Sequence, residues 1–529
     1  LDQAVELIFK QHDLGEPVNN YYHDFPPEAY LKKYEVPDVQ PGEPFITKAL
    51  SDKQKTGFVP EFAGPERGSA LDSWHYHKIY SQPTSVEWRL FMFLHTLTPY
   101  KEDNVKIKST YYSLKLTYEG AWRNYKEYIY DVTLSDKMLE LLNLRYSRKE
   151  APDENFAREV QELFTVGKRP FSKFTESDVK EAARLLVGWD YEEWPSLIGE
   201  GYVPKSKFNA DNHDTGDKQF SKFYGNKIIK GRSGQEGKLE LKEFIDMIFE
   251  TDEAAIYLSR RLVQFFVYPI LTTFTEENII KPLAQILKKN NFNLAETLKV
   301  LLKSEYFFAE EFYFSMIKSP MEYSMGLYKE LDIINGNVVY DSYNSLFPED
   351  ARNLDSKFLD KIYLSFKIFS QVRYHAIGRQ GYSFGNPPSV SGWQAYYQEP
   401  VYDLIWVNSD SIKRRKDLAE SIGRNGLDFF DRPKLRFDIN TLLKKIKEPA
   451  NINSFIRELS MLFLGHTISD TAFNRIKKSI LSDGFQDYYW SDAVNSFLNN
   501  PNKDNYNTLY IRISQILLQV FDLNEIHVF

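Results

Sequence analysis

Glu154, Asn155, Arg158, Glu159 and Glu162 crowd into APDENFAREVQELFTVG, residues 151–167, between a proline and a glycine. Glutamates beside an asparagine and an arginine are the groups that acid–base work, or the holding of a polar ligand, requires. Glu159 and Glu162 are the acid–base candidates; Glu154, Asn155 and Arg158 are the binding candidates. At about 100° per residue, Arg158, Glu162, Asn155 and Glu159 fall on one helical arc, and Phe156, Val160, Leu163 and Phe164 on the other. Arg158 and Glu162, four apart, are expected to pair along the surface for roughly a few tenths of a kcal/mol. A half-buried helix with a solvated, self-neutralising face explains the same pattern, so spacing leaves both readings open.

The segment NADNHDTGDKQF, 209–220, clusters Asp211, His213, Asp214, Asp217 and Lys218. His213 with Asp214 is the candidate support for a hydrolytic centre on Glu159 or Glu162; Asp214, Asp217 and Lys218 are further binding candidates. Oxygen and imidazole at this density suit a divalent cation. The calcium-loop template fails, because counting from Asp211 puts Gly216 sixth but Lys222 where a bidentate glutamate belongs. Asp, Asn and Gly also form turns for local reasons, and no metal ligands or cofactor are assigned. His75 and His77 share a face only on a strand, and their surroundings read as helix. His95, in FMFLHTLTPY, reads as a core histidine. Nothing resembles a Gly-rich phosphate loop, a GxSxG elbow or an HExxH helix. In 381–411, Trp393, Tyr396, Tyr397 and Trp406 can stack on sugars or plug the loop into the core; Trp393 and Tyr396 are the binding candidates.

These groups sit in a 529-residue chain that is 42% hydrophobic and 26% charged, the balance of a folded protein. A net charge of −8 argues against nucleic acid as partner. The compact basic run, Lys413–Lys416 in SIKRRKD, reads as the exposed start of a helix rather than a phosphate site. Without cysteine there are no disulfides, thiolate metal sites or cysteine nucleophile. The most apolar run, LVQFFVYPILTTF, is too short to span a membrane. An export signal is expected upstream of Leu1. Aromatic residues reach 16%, which codon bias explains as readily as ligand binding.

The elements that must position these residues are nearly all helical. Pro152 and Gly167 mark the ends of the 154–162 helix. In FTESDVKEAARLLVGW, Thr175 caps, Asp178 answers it, and Phe174 with Val179 forms a staple. Thr251, Thr275 and Asn293 read as further caps, Asn293 with Glu296 in the cap-box position. Strand-like alternation is scarce and no fixed repeat is present, so the fold class is all-α: a large irregular multi-helix domain with long aromatic and proline-rich loops. Residues 1–83 read as an extended and helical segment packed on the core, 84–425 as the main helical domain, and 426–529 as a C-terminal helical part on the same core. Such wrapping is expected to bury the Glu159–Glu162 face under the 209–220 and 381–411 loops, with Arg158 as its compensating charge.

Four segments, APDENFAREVQELFTVG, FTESDVKEAARLLVGW, HDTGDKQF and GNPPSVSGW, resemble in order and separation the large bacterial family filed as domain of unknown function 1800. The likeness extends to KSPMEY at 318–323 and more loosely to DYYWSDAV; the YYQEP extension is typical of Bacteroidota. It implies an exported, mostly helical protein of the periplasm, outer membrane or cell surface, and it supplies no reaction. Two positions depart from the family's pattern: His95-Thr96-Leu97 stands where a His-Asn-His run is usual, and Ser147 where an asparagine is usual. If those groups are catalytic in relatives, this member has lost the activity. The leading expectation is a binding or accessory protein for a glycan or a secreted partner. The alternative is a hydrolase using Glu159 or Glu162 with Arg158, Asn155 and His213.

Overall fold

The computed structural model describes residues 1–17, 46, 63–102, 107–168, 170, 172–192, 205–333, 369, 372–383, 385–390, 392, 404–429, 432–481 and 486–529. Trp393, Tyr396 and Tyr397 lie outside these residues. The fold is mostly helical. Strands among the described residues form three antiparallel pairs: β1 (Trp189–Tyr191) with β2 (Ser206–Phe208), β3 (Lys218–Gln219) with β4 (Ile228–Ile229), and β5 (Leu427–Phe429) with β6 (Arg432–Leu435). No described helix is long and apolar enough to cross a membrane.

Helices α1 (Asp2–Ile8), α2 (Ala63–Ser81), α3 (Glu87–Leu97), α4 (Ile107–Gly120), α5 (Tyr125–Thr133) and α6 (Asp136–Leu141) lead to α7 (Glu154–Glu159) and α8 (Glu176–Leu186). Then follow α9 (Lys238–Glu250), α10 (Asp252–Phe266), α11 (Lys281–Lys289) and α12 (Leu294–Leu302). The later helices are α13 (Pro320–Glu330), α14 (Ser409–Glu420), α15 (Ile439–Lys444), α16 (Ile452–Leu464), α17 (Asp470–Ile480), α18 (Tyr488–Asn499) and α19 (Lys503–Phe521). Two apolar clusters form, one from residues up to Leu302 and one dominated by residues beyond Met321. α3 serves both: Leu90, Phe93, Leu94 and Leu97 face the first, Phe91 and Met92 the second. A helix apolar on all sides must be buried on all sides.

The caps follow local chemistry. Thr175 and Asp178 form a complete capping box over Phe174 and Val179, both buried. Thr251 and Asn293 cap as expected, accepting from Ala254 N and Glu296 N. Thr275 does not cap: Thr272 does, accepting from Thr275 N, and the helix starts three residues early. α7 is capped by Asp153, which accepts from Asn155 N at 2.8 Å, so Pro152 precedes the cap. Beyond Glu159 the coil widens into a π turn, Val160–Thr165, before Gly167 ends it at φ +84°.

The basic run departs from expectation in one residue. It does lie in a helix, α14, but Arg415 is fully buried. Lys413 and Lys416 point outward and pair with Asp417 and Asp522.

Candidate functional site

α7 presents its polar arc toward α8. Arg158 forks onto Glu176 in the first turn of α8, at 2.9 and 2.6 Å, and reaches back to Glu154 at 3.2 Å. The expected pairing with Glu162 is not made. A glutamate four residues ahead of the cation is the favoured orientation, and side chains lean toward a helix's N-terminus. Glu162, buried, is instead answered by Lys168 Nζ at 3.0 Å. Arg158 is one-third exposed, so it is not the counter-charge of a buried face. Asn155 is exposed. Glu159 is half-buried and accepts no hydrogen bond from a described residue; burial, then the adjacent Glu162, push its carboxyl up to about 7.

The 209–220 segment makes a second, separate centre. His213 is buried, with Nδ1 2.8 Å from the Val187 carbonyl and Nε2 3.1 Å from Glu240 Oε1. The Val187 carbonyl can only accept, so Nδ1 carries hydrogen, and one further proton must lie between Nε2 and Oε1. Glu240, also buried, accepts from Lys218 Nζ and from Arg232 N, both at 2.6 Å. Burial would raise its carboxyl, but the bonds from His213 and Lys218 outweigh that and hold it below the usual value. Asp214 takes a bidentate fork from Arg184, at 2.8 and 3.0 Å, and Asp217 pairs with Lys230 at 2.6 Å. Glycine is required on both flanks. A Cβ on Gly188, at φ +108°, meets the Asn209 carbonyl at 2.9 Å, and one on Gly237 meets the His213 ring at 2.8 Å.

The two centres do not merge. Arg158 meets α8 at residue 176 and Asp214 meets it at 184, about 12 Å apart along the axis at 1.5 Å per residue. His213 therefore does not support Glu159 or Glu162. The 209–220 loop covers the 147–149 turn instead: Lys149 Nζ donates to the Asp211 carbonyl at 2.7 Å, and Asn212 Nδ2 to the Ser147 carbonyl at 3.0 Å. The described part of the 381–411 loop lies at the end of α3, where Glu102 N donates to the Gly385 carbonyl at 2.8 Å. Trp406 is buried against Tyr382, plugged into the core.

Residues 36–502 match the family described as Protein of unknown function (DUF1800). The chain belongs to that family. No curated protein and no solved structure matches it. In this DUF1800 chain, His95 is fully buried, stacked on Phe91 and edge-on to Tyr100, and burial lowers its imidazole to about 4. Thr96 Oγ1 donates to its own helix, at the Phe93 carbonyl, and Leu97 joins the core. Ser147 Oγ accepts from Asp153 N at 3.0 Å, tying the preceding turn to the α7 cap.

Sequence reasoning missed Glu176, Lys168, Arg184 and Glu240, each an ordinary charged residue in its own segment. It also missed a cavity of about 490 Å³ between residues 11–16, the start of α3 and one face of α4. Glu87 backs it, accepting from His12 N and facing His12 Nδ1, each at 3.0 Å. Tyr111 donates to the Gly15 carbonyl at 2.6 Å, and Tyr118 is held by His75 Nε2 at 3.0 Å. Glu119 and Lys115 complete the rim.

Proposed function

We propose that this DUF1800 chain is an exported binding or accessory protein of the cell envelope, taking a glycan in the cavity beside Glu87. The observation that carries the reading is the cavity wall. Carboxylates at Glu87 and Glu119 accept from hydroxyl groups, Lys115 donates, and the buried Tyr111 and Tyr118, anchored on the Gly15 carbonyl and His75, form a fixed floor beneath them. Its volume is that of a small-molecule site. The mutual saturation of Arg158, Glu154 and Glu176, and of His213, Lys218 and Glu240, argues against those groups as catalysts. Export rests on the family likeness of the motif segments.

Calorimetric titration with oligosaccharides from bacterial envelopes tests the reading. Binding should appear in the wild type and fall at least tenfold in Lys115→Ala and Glu119→Ala, whose side chains are about half exposed, with unchanged melting temperature. A panel without a binder, or binding indifferent to both substitutions, overturns it. Fractionation of cells expressing the full-length gene should place the chain outside the cytoplasm.

A hydrolase is the second reading, and Glu159 is the observation that favours it: a carboxyl poised near 7 suits a general acid or base. Turnover of glycoside, phosphate or sulfate esters that disappears in Glu159→Gln would establish it in place of the first.

A further inference from the structure

Arg415 is the largest charged side chain buried without an ionic partner among the described residues. Its guanidinium donates from Nε to Gln380 Oε1 at 3.1 Å and from Nη2 to the Lys318 carbonyl at 2.7 Å, and lies 5.0 Å from the centre of the Tyr323 ring. Tyr323 in turn donates to the Arg415 carbonyl at 3.1 Å. Among the described residues Nη1 has no hydrogen-bond partner, and no carboxylate pairs with the guanidinium. Every donor that is used meets a neutral oxygen.

The neighbours worsen the imbalance. Lys318 Nζ, from KSPMEY, finds one backbone carbonyl, that of Ile526, at 3.3 Å. The His527 ring stacks on Tyr323 at 5.5 Å, and its Nδ1 is unpartnered. Glu322 is the carboxylate whose field reaches both Lys318 and Arg415. Its oxygens are already committed, Oε1 to Arg89 at 2.8 Å and Oε2 to Ser319 N at 2.8 Å in the cap of α13. Arg89, Lys318 and Arg415 thus share one carboxylate. The strain shows in the titrating groups. Burial lowers Arg415 to about 10 and Lys318 to about 8, Arg415 adding to the second. Burial, then Arg415 and Lys318, lower His527 to about 4.

An uncompensated buried charge costs several kcal/mol, and a well-packed apolar side chain of similar volume avoids the cost. A planar fork with an unpaired buried donor, beside a largely buried ammonium, has the geometry by which proteins hold oxyanions. We propose that Arg415, Lys318 and His527 form an oxyanion site: a phosphate, sulfate or carboxylate group enters beside Lys318 and His527 and accepts from Arg415 Nη1. The basic run at 413–416 thereby divides its labour, Lys413 and Lys416 facing solvent and Arg415 facing the anion. This site is remote in sequence from the Glu87 cavity and does not depend on what that cavity binds.

The test is thermal unfolding of the full chain in sodium sulfate, phosphate or acetate against sodium chloride at matched ionic strength, repeated with Arg415→Met and Lys318→Gln. A tetrahedral anion or acetate should raise the wild-type melting temperature by about 2 °C or more beyond chloride, and the increment should vanish in both variants. In chloride alone Arg415→Met should melt no lower than wild type, because it removes an unpaired charge. Preference for sulfate and phosphate over acetate identifies a tetrahedral ion. A sulfated disaccharide acting at tenfold lower concentration than sulfate assigns the anion to a larger ligand; either source supports the site. Equal response to chloride and oxyanions overturns the proposal, as does an oxyanion response that survives Lys318→Gln. Should Arg415→Met fail to fold, Lys318→Gln, a near-isosteric change at a less deeply buried position, carries the comparison alone.

Discussion

Two buried ionic centres in this protein solve the same problem in opposite ways. Around Glu240, His213 and Lys218 are matched to one carboxylate whose oxygens also take a backbone N–H, while Arg184 and Asp214 pair beside them. Around Arg415, the cations outnumber the acids, and a donor is left open. The first centre ties the 209–220 loop to α9 and α8, so its charges stabilise the fold. The second gains nothing by the same logic, which is why its imbalance points outward, to a ligand.

The largest expected effect breaks the balanced centre. Lys218→Met leaves Glu240 buried with half its compensation and should cost about 3–5 kcal/mol in urea denaturation, whereas Arg415→Met, also the loss of one buried cation, should cost nothing in chloride without oxyanions. Equal losses in the two variants would erase the contrast.

Acid should separate the centres next. Glu240 and Asp214 are held below their ordinary values, hydrogen bonds outweighing burial in both. A carboxyl depressed in the folded state contributes stability that is present above its unfolded value, about 4, and lost as pH falls through the folded one. Urea midpoints measured from pH 6 to pH 3 should therefore fall, and Glu240→Gln should flatten the slope.

Glu159 has the reverse sign. Its carboxyl is raised to about 7, so ionisation costs the folded state as pH rises from the unfolded value toward 7. Glu159→Gln should be more stable than wild type at pH 8 by about 1 kcal/mol, after allowance for its partial exposure, and equal to it at pH 4. A variant less stable at both values would mean that Glu159 holds a partner.

The smallest effect is at Arg158. Arg158→Ala breaks a fork and one helix pair at the surface, worth about 1 kcal/mol or less. The larger loss expected of a buried counter-charge requires a burial that Arg158 does not have. A loss above about 3 kcal/mol would restore that expectation.

The helical class, the capping box at Thr175, the Thr251 and Asn293 caps and the inward Phe156 and Val160 were all legible in the residues. Each depends on neighbours within about four positions, the reach of a helical turn. Thr275 failed because Thr272 competes at the same spacing, and the two threonines look alike in sequence. The π turn after Glu159 had no local signal at all.

Charge pairing was not legible, and the reason is separation along the chain. Arg158 finds Glu176, His213 finds Glu240, and the Lys318 carbonyl finds Arg415, across 18, 27 and 97 positions. Within SIKRRKD the cations are equivalent on paper. Packing turns one face of α14 inward, and that face carries Arg415. Residue types decided which segments coil and where each coil stops, because those energies are local. Which charges meet, which are satisfied and which are left waiting was decided when the helices packed, since burial and Coulomb energy depend on distance in space and not on position in the chain.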